Sequence, residues 1–213
     1  MQISGLVKNS FVDFPGHLAA VIFTPFCNYD CFYCHNRELI ENPQQFIDEN
    51  EVLDFLQKRR GMLEGVVISG GEPTLQKDLE RFIIKVKNIG FLVKLDSNGS
   101  NPNVIEGLLK KNLLDYVAID YKAPSKKYKE ICGKNADSKD VLNTINILKK
   151  SNVDFQVRTT LCPTLTKEDM KSLKQEIGNV KNYVINKYRI PEKYKKEDED
   201  RIREKAIDKE ILG

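Results

Sequence analysis

Apolar positions along the chain fall into two alternating patterns. Short β-branched runs have the length and composition of buried strands: Ala19 to Thr24 (AAVIFT), Gly65 to Ser69 (GVVIS), Phe91 to Asp96 (FLVKLD), Tyr116 to Asp120 (YVAID), Phe155 to Thr159 (FQVRT) and Tyr183 to Tyr188 (YVINKY). Between them, Asn50 to Leu63, Gln76 to Asn88, Asn103 to Leu113, Ser138 to Lys150 and Lys167 to Ile177 carry apolar residues at helical spacing. Thr166 with Asp169 three residues on, and Ser138 before Asp140, read as helix starts. Such alternation predicts parallel strands joined by right-handed crossovers. Six β/α units in 213 residues fall short of a complete barrel of about 250, so the expectation is an α/β fold, either an incomplete barrel or an open doubly wound sheet. Both place ligands at the C-terminal ends of the strands.

With 40% hydrophobic residues the chain can bury a core without disulfides, and its length favours one domain. Residues 1–190 form the expected core; 191–213 is a charged stretch with a thin stripe at Ile202, Ala206 and Ile207, expected to be a helical tail along the last strand. The 34 basic and 31 acidic side chains are interleaved, which argues against a nucleic-acid surface. No run of apolar residues is long enough to span a membrane and Met1 to Ser10 lacks the apolar stretch of a signal peptide, so a cytoplasmic protein is expected. There thiols stay reduced, and five cysteines point to metal or redox chemistry before disulfides.

Directly after the first run the chain reads CNYDCFYCH, with Cys27, Cys31 and Cys34 spaced C-x3-C-x2-C and followed by His35. A structural zinc site wants four ligands, and a second C-x2-C pair is missing; His35 as the fourth would crowd Cys34. A 4Fe-4S cluster on three thiolates leaves one iron open to a substrate. His35 reads better as a hydrogen-bonding neighbour of a thiolate than as a ligand. Cys132 and Cys162 stand outside this spacing and read as small buried hydrophobes. Three further strand ends are polar: Ser69-Gly70-Gly71-Glu72-Pro73, Asp96-Ser97-Asn98-Gly99 and Asp120-Tyr121-Lys122. Read alone, the first two are turn signals and the third is a surface ion pair.

The cysteine spacing after the first strand of an alternating β/α chain resembles the radical S-adenosylmethionine enzymes. Gly5 to Ile40, GLVKNSFVDFPGHLAAVIFTPFCNYDCFYCHNRELI, goes further and is similar to the activating enzymes of glycyl radical proteins, above all those of anaerobic ribonucleoside-triphosphate reductases. The likeness extends to about Arg189 and is looser after the first 125 residues. It implies a partial (β/α)6 barrel with a short N-terminal extension, a 4Fe-4S cluster on Cys27, Cys31 and Cys34, and S-adenosylmethionine on the open iron. It further implies that Gly70, Gly71 and Glu72 meet the ligand's amino group. Lys122 would meet its carboxylate, Asp96, Ser97 and Asp120 would lie by a monovalent cation, and Asn98 would face the ribose; Arg158, in the fifth strand, reads either as a further carboxylate partner, which a guanidinium fits, or as a member of a structural ion pair. Asp13, in Asp13-Phe14-Pro15-Gly16, falls on the family loop beside the protein substrate. No catalytic side chain is implied beyond the cluster. The implied partners are a glycyl radical enzyme and an electron donor such as flavodoxin or ferredoxin, with neither nucleic acid nor membrane. Two other readings stay open: a radical enzyme acting on a small molecule such as a deazaguanine precursor, and a cluster-binding electron carrier.

Overall fold

Runs that are apolar on both faces become the central strands. The computed structural model describes residues 1–41, 43 and 45–203. In chain order it contains β1 (Gly5–Ser10), β2 (Ala19–Thr24), α1 (Arg37–Glu41), α2 (Glu49–Lys58), β3 (Gly65–Gly70), α3 (Leu79–Ile89), β4 (Leu92–Ser97) and α4 (Pro102–Lys110). The second half adds β5 (Tyr116–Asp120), α5 (Tyr128–Cys132), α6 (Ser138–Lys149), β6 (Asp154–Leu161), α7 (Lys167–Ile177), β7 (Tyr183–Lys187) and α8 (Glu199–Arg203). Among the described residues the seven strands form one sheet in sequence order, and its two edges do not pair with each other. From β2 to β7 every neighbour is parallel, as expected for a partial (β/α)6 barrel.

The alternation of side chains within β2 divides the molecule into two layers. Ala20 and Ile22 join the main core with the helices, whereas Ala19 and Val21 turn to the concave face, where they pack with Phe14 and Val67. Phe14 comes from the loop before β2 and lies so close to Gly65 that a Cβ there would collide with its ring. The foot of the concave face is therefore plugged by apolar side chains, and its polar residues lie toward the other end.

Four features depart from the sequence expectations. The N-terminal extension contributes a strand, β1, antiparallel to β2; as an edge strand with exposed Val7 it lacks the doubly apolar pattern of its neighbours. Short helices α1 and α5 lie within the loops after β2 and β5. Helix α6 is capped by Asp137, which accepts from Lys139 N, so Ser138 is its first residue and not its cap. Beyond residue 190, the chain through α8 packs back onto the cysteine loop: Ile202 is buried, the Arg201 guanidinium lies 4.2 Å from the centroid of Phe32, and Lys195 Nζ is 2.6 Å from Asp30. Ala206 and Ile207 lie outside the described residues. Among the described residues, no helix is long and apolar enough to cross a membrane.

The start of α7 is the capping box expected at Thr166 and Asp169, and Asp169 also holds Lys126 and Lys127 at 3.0 and 2.7 Å. Thr166→Ala removes the acceptor for Asp169 N and is expected to destabilise the protein by about 1 kcal/mol. A urea titration should show a lower midpoint at unchanged slope; an unmoved midpoint would refute the cap's contribution.

Candidate active site

Beyond β2 the chain turns through Pro25 and Phe26 into the cysteine loop, and the end of β3 crosses beneath that turn. Gly71 N donates to Thr24 O at 2.9 Å and Glu72 N to Phe26 O at 2.8 Å. A Cβ on Gly71 would overlap the Phe26 carbonyl oxygen, and one on Gly70, whose φ is +115°, would overlap the Thr24 backbone. The two glycines are therefore required by the approach of one backbone to another, quite apart from any ligand.

Cys27, Cys31 and Cys34 line a cavity of about 250 Å³ together with Tyr33, His35 and Asn36. Ser69, Gly70, Gly71, Asp96, Ser97, Asn98, Asp120, Lys122, Arg158 and Thr160 line it as well, with Tyr29 and Ile40. Nearly all the residues singled out in the sequence thus converge, with two exceptions. Asp13 sits before β2, at the opposite end of the strands, where it accepts from Ser10 Oγ at 2.5 Å. Glu72 is wholly buried and turned away from the cavity, accepting from Thr74 N (3.0 Å), Thr74 Oγ1 (2.5 Å), Ser97 Oγ (2.8 Å) and Asn98 N (2.7 Å). It ties the ends of β3 and β4 together.

Above the apolar plug the concave face carries a chain of alternating charges. Lys94 pairs with Asp96, Asp96 accepts from Arg158 Nη1 at 3.0 Å, Arg158 Nε donates to Asp120 at 2.8 Å, and Lys122 reaches Asp120 at 3.1 Å. Burial opposes the charge on each of Arg158, Lys122 and Asp120, but their pairing outweighs it. Arg158 and Lys122 are held protonated and Asp120 is held below the usual carboxylate range. Asp96 and Asp120 are thus neutralised by side chains of the protein itself. Burial lowers the pKa of Lys94 deeper in the face, and at the cavity itself the guanidinium of Arg158 and the ammonium of Lys122 suit a ligand carboxylate.

The cysteine loop is clamped from several directions. Tyr29 N lies 3.4 Å from Cys27 Sγ, and the Asn98 amide reaches Cys27 Sγ at 3.7 Å and Asn28 at 2.9 Å. Arg37, itself buried, donates to Cys31 O at 2.7 Å, and Asn36 donates to Gly70 O at 3.0 Å. His35 lines the same cavity as the three cysteines, and burial lowers its pKa against the opposing pull of the Arg189 backbone. Burial pushes the Cys27 thiol up to about 12 and raises Cys34 as well. Tyr33, Asn36, Arg37 and Lys94 went unremarked in the sequence. The only hint was their nearness to the motifs, since what they touch is distant along the chain.

The donor set suits a cluster better than one ion. Among the described residues no three His, Cys, Asp or Glu side chains are gathered closely enough to hold a single metal. The three thiols instead share a wall with the buried Tyr33 hydroxyl, which has no hydrogen-bond partner among the described residues. Residues 21–177 match the profile of the Radical SAM superfamily. The chain belongs to this superfamily. Radical SAM proteins use a 4Fe-4S cluster and S-adenosylmethionine, and this chain is an enzyme of that kind. It is 38% identical over 204 residues to a protein of Methanocaldococcus jannaschii named as a glycyl-radical enzyme activating enzyme, covering 92% of this chain and 83% of the relative. It is 33% identical over 170 residues to a Sulfurisphaera tokodaii protein named as a GTP 3′,8-cyclase, covering 78% of this chain but 51% of that relative. Among solved structures, Streptococcus suis SuiB bound to S-adenosylmethionine shares the fold at a TM-score of 0.64 and 14% identity, over 82% of this chain and 43% of SuiB.

Proposed function

We propose that this radical SAM enzyme activates a glycyl radical enzyme, with an anaerobic ribonucleotide reductase or a pyruvate formate-lyase type protein as its partner. The observation that carries the reading is the 38% identity to an activating enzyme along nearly the full length of both chains. When bound and reduced by an electron donor such as flavodoxin or ferredoxin, the cluster supplies the electron that cleaves S-adenosylmethionine to methionine and a 5′-deoxyadenosyl radical, the species that takes a hydrogen atom from a partner glycine.

In this reading Cys27, Cys31 and Cys34 hold three irons, while Lys122 and Arg158 receive the ligand carboxylate. The Gly70 and Gly71 backbone lies along the methionyl end, and Ser97 and Asn98 form the wall toward the ribose. Ser97 and Asn98 are held by Glu72, which acts on the ligand through them. The loop of Asp13, beside the exposed Phe11 and Val12, is the proposed contact for the partner. The match to a GTP cyclase keeps a small-molecule substrate as the second reading. Incubation without oxygen, with a reductant, S-adenosylmethionine and a cognate glycyl radical enzyme, is expected to yield 5′-deoxyadenosine and the EPR doublet of a glycine-centred radical. Deoxyadenosine formed with a nucleotide substrate, and no radical in any candidate partner, would favour the second reading.

A further inference from the structure

Asp120 on β5 lies opposite Arg158 on β6, and Asp96 on β4 lies opposite Ala118 on β5. Alternation puts Ala118 on the same face as Asp120, where its small methyl leaves the space that the Arg158 side chain crosses to reach Asp96. The guanidinium then bridges the two carboxylates: Nε donates to Asp120 Oδ1 at 2.8 Å and Nη1 to Asp96 Oδ2 at 3.0 Å. The other oxygen of each carboxylate is taken as well, Asp96 Oδ1 by the buried Lys94 Nζ and Asp120 Oδ2 by Lys122 Nζ at 3.1 Å. The Ser97 hydroxyl donates to Glu72 at 2.8 Å, away from the cavity. Asp96, Ser97 and Asp120, the side chains that the resemblance sets by a monovalent cation, are therefore all committed to groups of the protein. A sodium or potassium ion needs several oxygens to replace its hydration shell, and here it would also enter beside the protonated Arg158 and Lys122, which repel it. These residues do not fit such an ion.

We infer that Arg158 takes the place of that ion: its guanidinium joins Asp96 to Asp120 as a built-in cation, and the enzyme binds S-adenosylmethionine without potassium or sodium. Arginine suits the position because its charge is permanent and its N–H groups lie in one rigid plane that matches carboxylates. The bonds to Asp120 and Asp96 use Nε and Nη1, and Nη2 remains for a ligand carboxylate in the cavity that Arg158 lines. A cation fixed to β6 is set in place by folding and is present whatever salt surrounds the protein. The inference rests on the ligand carboxylate lying at Lys122 and Arg158, as proposed above, and Lys122→Ala tests that placement separately.

The experiment is calorimetric titration of S-adenosylmethionine into the anaerobically reconstituted protein at one ionic strength, with potassium, sodium or tetramethylammonium as the only buffer cation, the last being too large to enter. The wild-type dissociation constant is expected to agree within about twofold in all of them. In Arg158→Met, with its iron intact, affinity is expected to fall about tenfold or more in tetramethylammonium, and potassium or sodium entering between the freed carboxylates should restore most of it. Thallium-205 NMR, which reports a potassium-like ion directly, should show a bound ion in Arg158→Met and none in the wild type. Wild-type affinity about tenfold higher in potassium or sodium than in tetramethylammonium would overturn the inference. That comparison needs no variant, so it decides the matter even if Arg158→Met fails to fold. A folded Arg158→Met whose lost affinity no cation restores would overturn it too. Lys122→Ala is expected to bind more weakly by the same factor in every buffer; unchanged affinity there would refute the placement of the ligand, while the guanidinium bridge is judged by the wild-type comparison.

Discussion

Single replacement of Cys27, Cys31 or Cys34 by alanine is expected to abolish the 4Fe-4S cluster, and with it all cleavage of S-adenosylmethionine. Three thiolates for about four irons is already one ligand short, and a second open iron leaves the cluster held on one side only. The protein offers little to replace a lost thiolate. The cavity carboxylates Asp96 and Asp120 are in ion pairs with Arg158, Lys94 and Lys122. Cys162, at the end of β6, is buried with Thr164 Oγ1 as its neighbour at 3.6 Å, so Cys162→Ala is expected to keep its iron. Iron and sulfide content with the EPR signal of the reduced protein check both statements. Equal iron loss from Cys162→Ala, or stoichiometric zinc in protein purified without oxygen, would reject the ligand assignment.

What could be read from the sequence was whatever is determined by near neighbours in the chain. The runs Ala19–Thr24 and Tyr116–Asp120 and the helix Lys167–Ile177 keep their limits to the residue, because each pairs an unbroken periodicity with a clear stop. The charged residues at the strand ends could be identified, but not their partners: Asp96 and Arg158 are 62 residues apart and meet only because β4, β5 and β6 lie side by side. Strand β1 was missed for another reason. An edge strand with one solvated face needs only half the apolar residues of a central one, and GLVKNS has too few to announce itself.

Glu72 is the residue whose expected role changes most between sequence and structure, and its replacement should have the largest effect on stability. Its two oxygens accept from two backbone N–H groups, Thr74 N and Asn98 N, and from two hydroxyls, all in a fully buried setting. In Glu72→Ala the hydroxyls can turn to other acceptors, but the backbone groups cannot. An unsatisfied buried donor costs about 1 to 3 kcal/mol, so two of them remove about 2 to 6 kcal/mol from a protein whose whole stability is of order 5 to 15 kcal/mol. Asn98 would also be freed, and with it the contact to Cys27, so affinity for S-adenosylmethionine should fall along with stability. Glu72→Gln distinguishes this from a direct contact with the ligand ammonium. If Glu72 met the ligand alone, the amide would cost affinity and leave folding nearly untouched. In the observed arrangement its NH2 group must face at least one of the four donors, so folding and affinity should be lost together. The pH dependence adds a signature. Burial raises the Glu72 carboxyl above its ordinary range against the opposing hydrogen bonds, so the folded protein binds that proton more tightly than the unfolded chain. Stability contributed by this group therefore falls as pH rises from the unfolded toward the folded value, and Glu72→Gln should flatten that slope. Urea titrations of the metal-free protein across pH, with calorimetric titration of S-adenosylmethionine into the reconstituted one, give both readouts. A Glu72→Gln variant as stable as the wild type but unable to bind the ligand would restore the direct contact and remove the proposed hub.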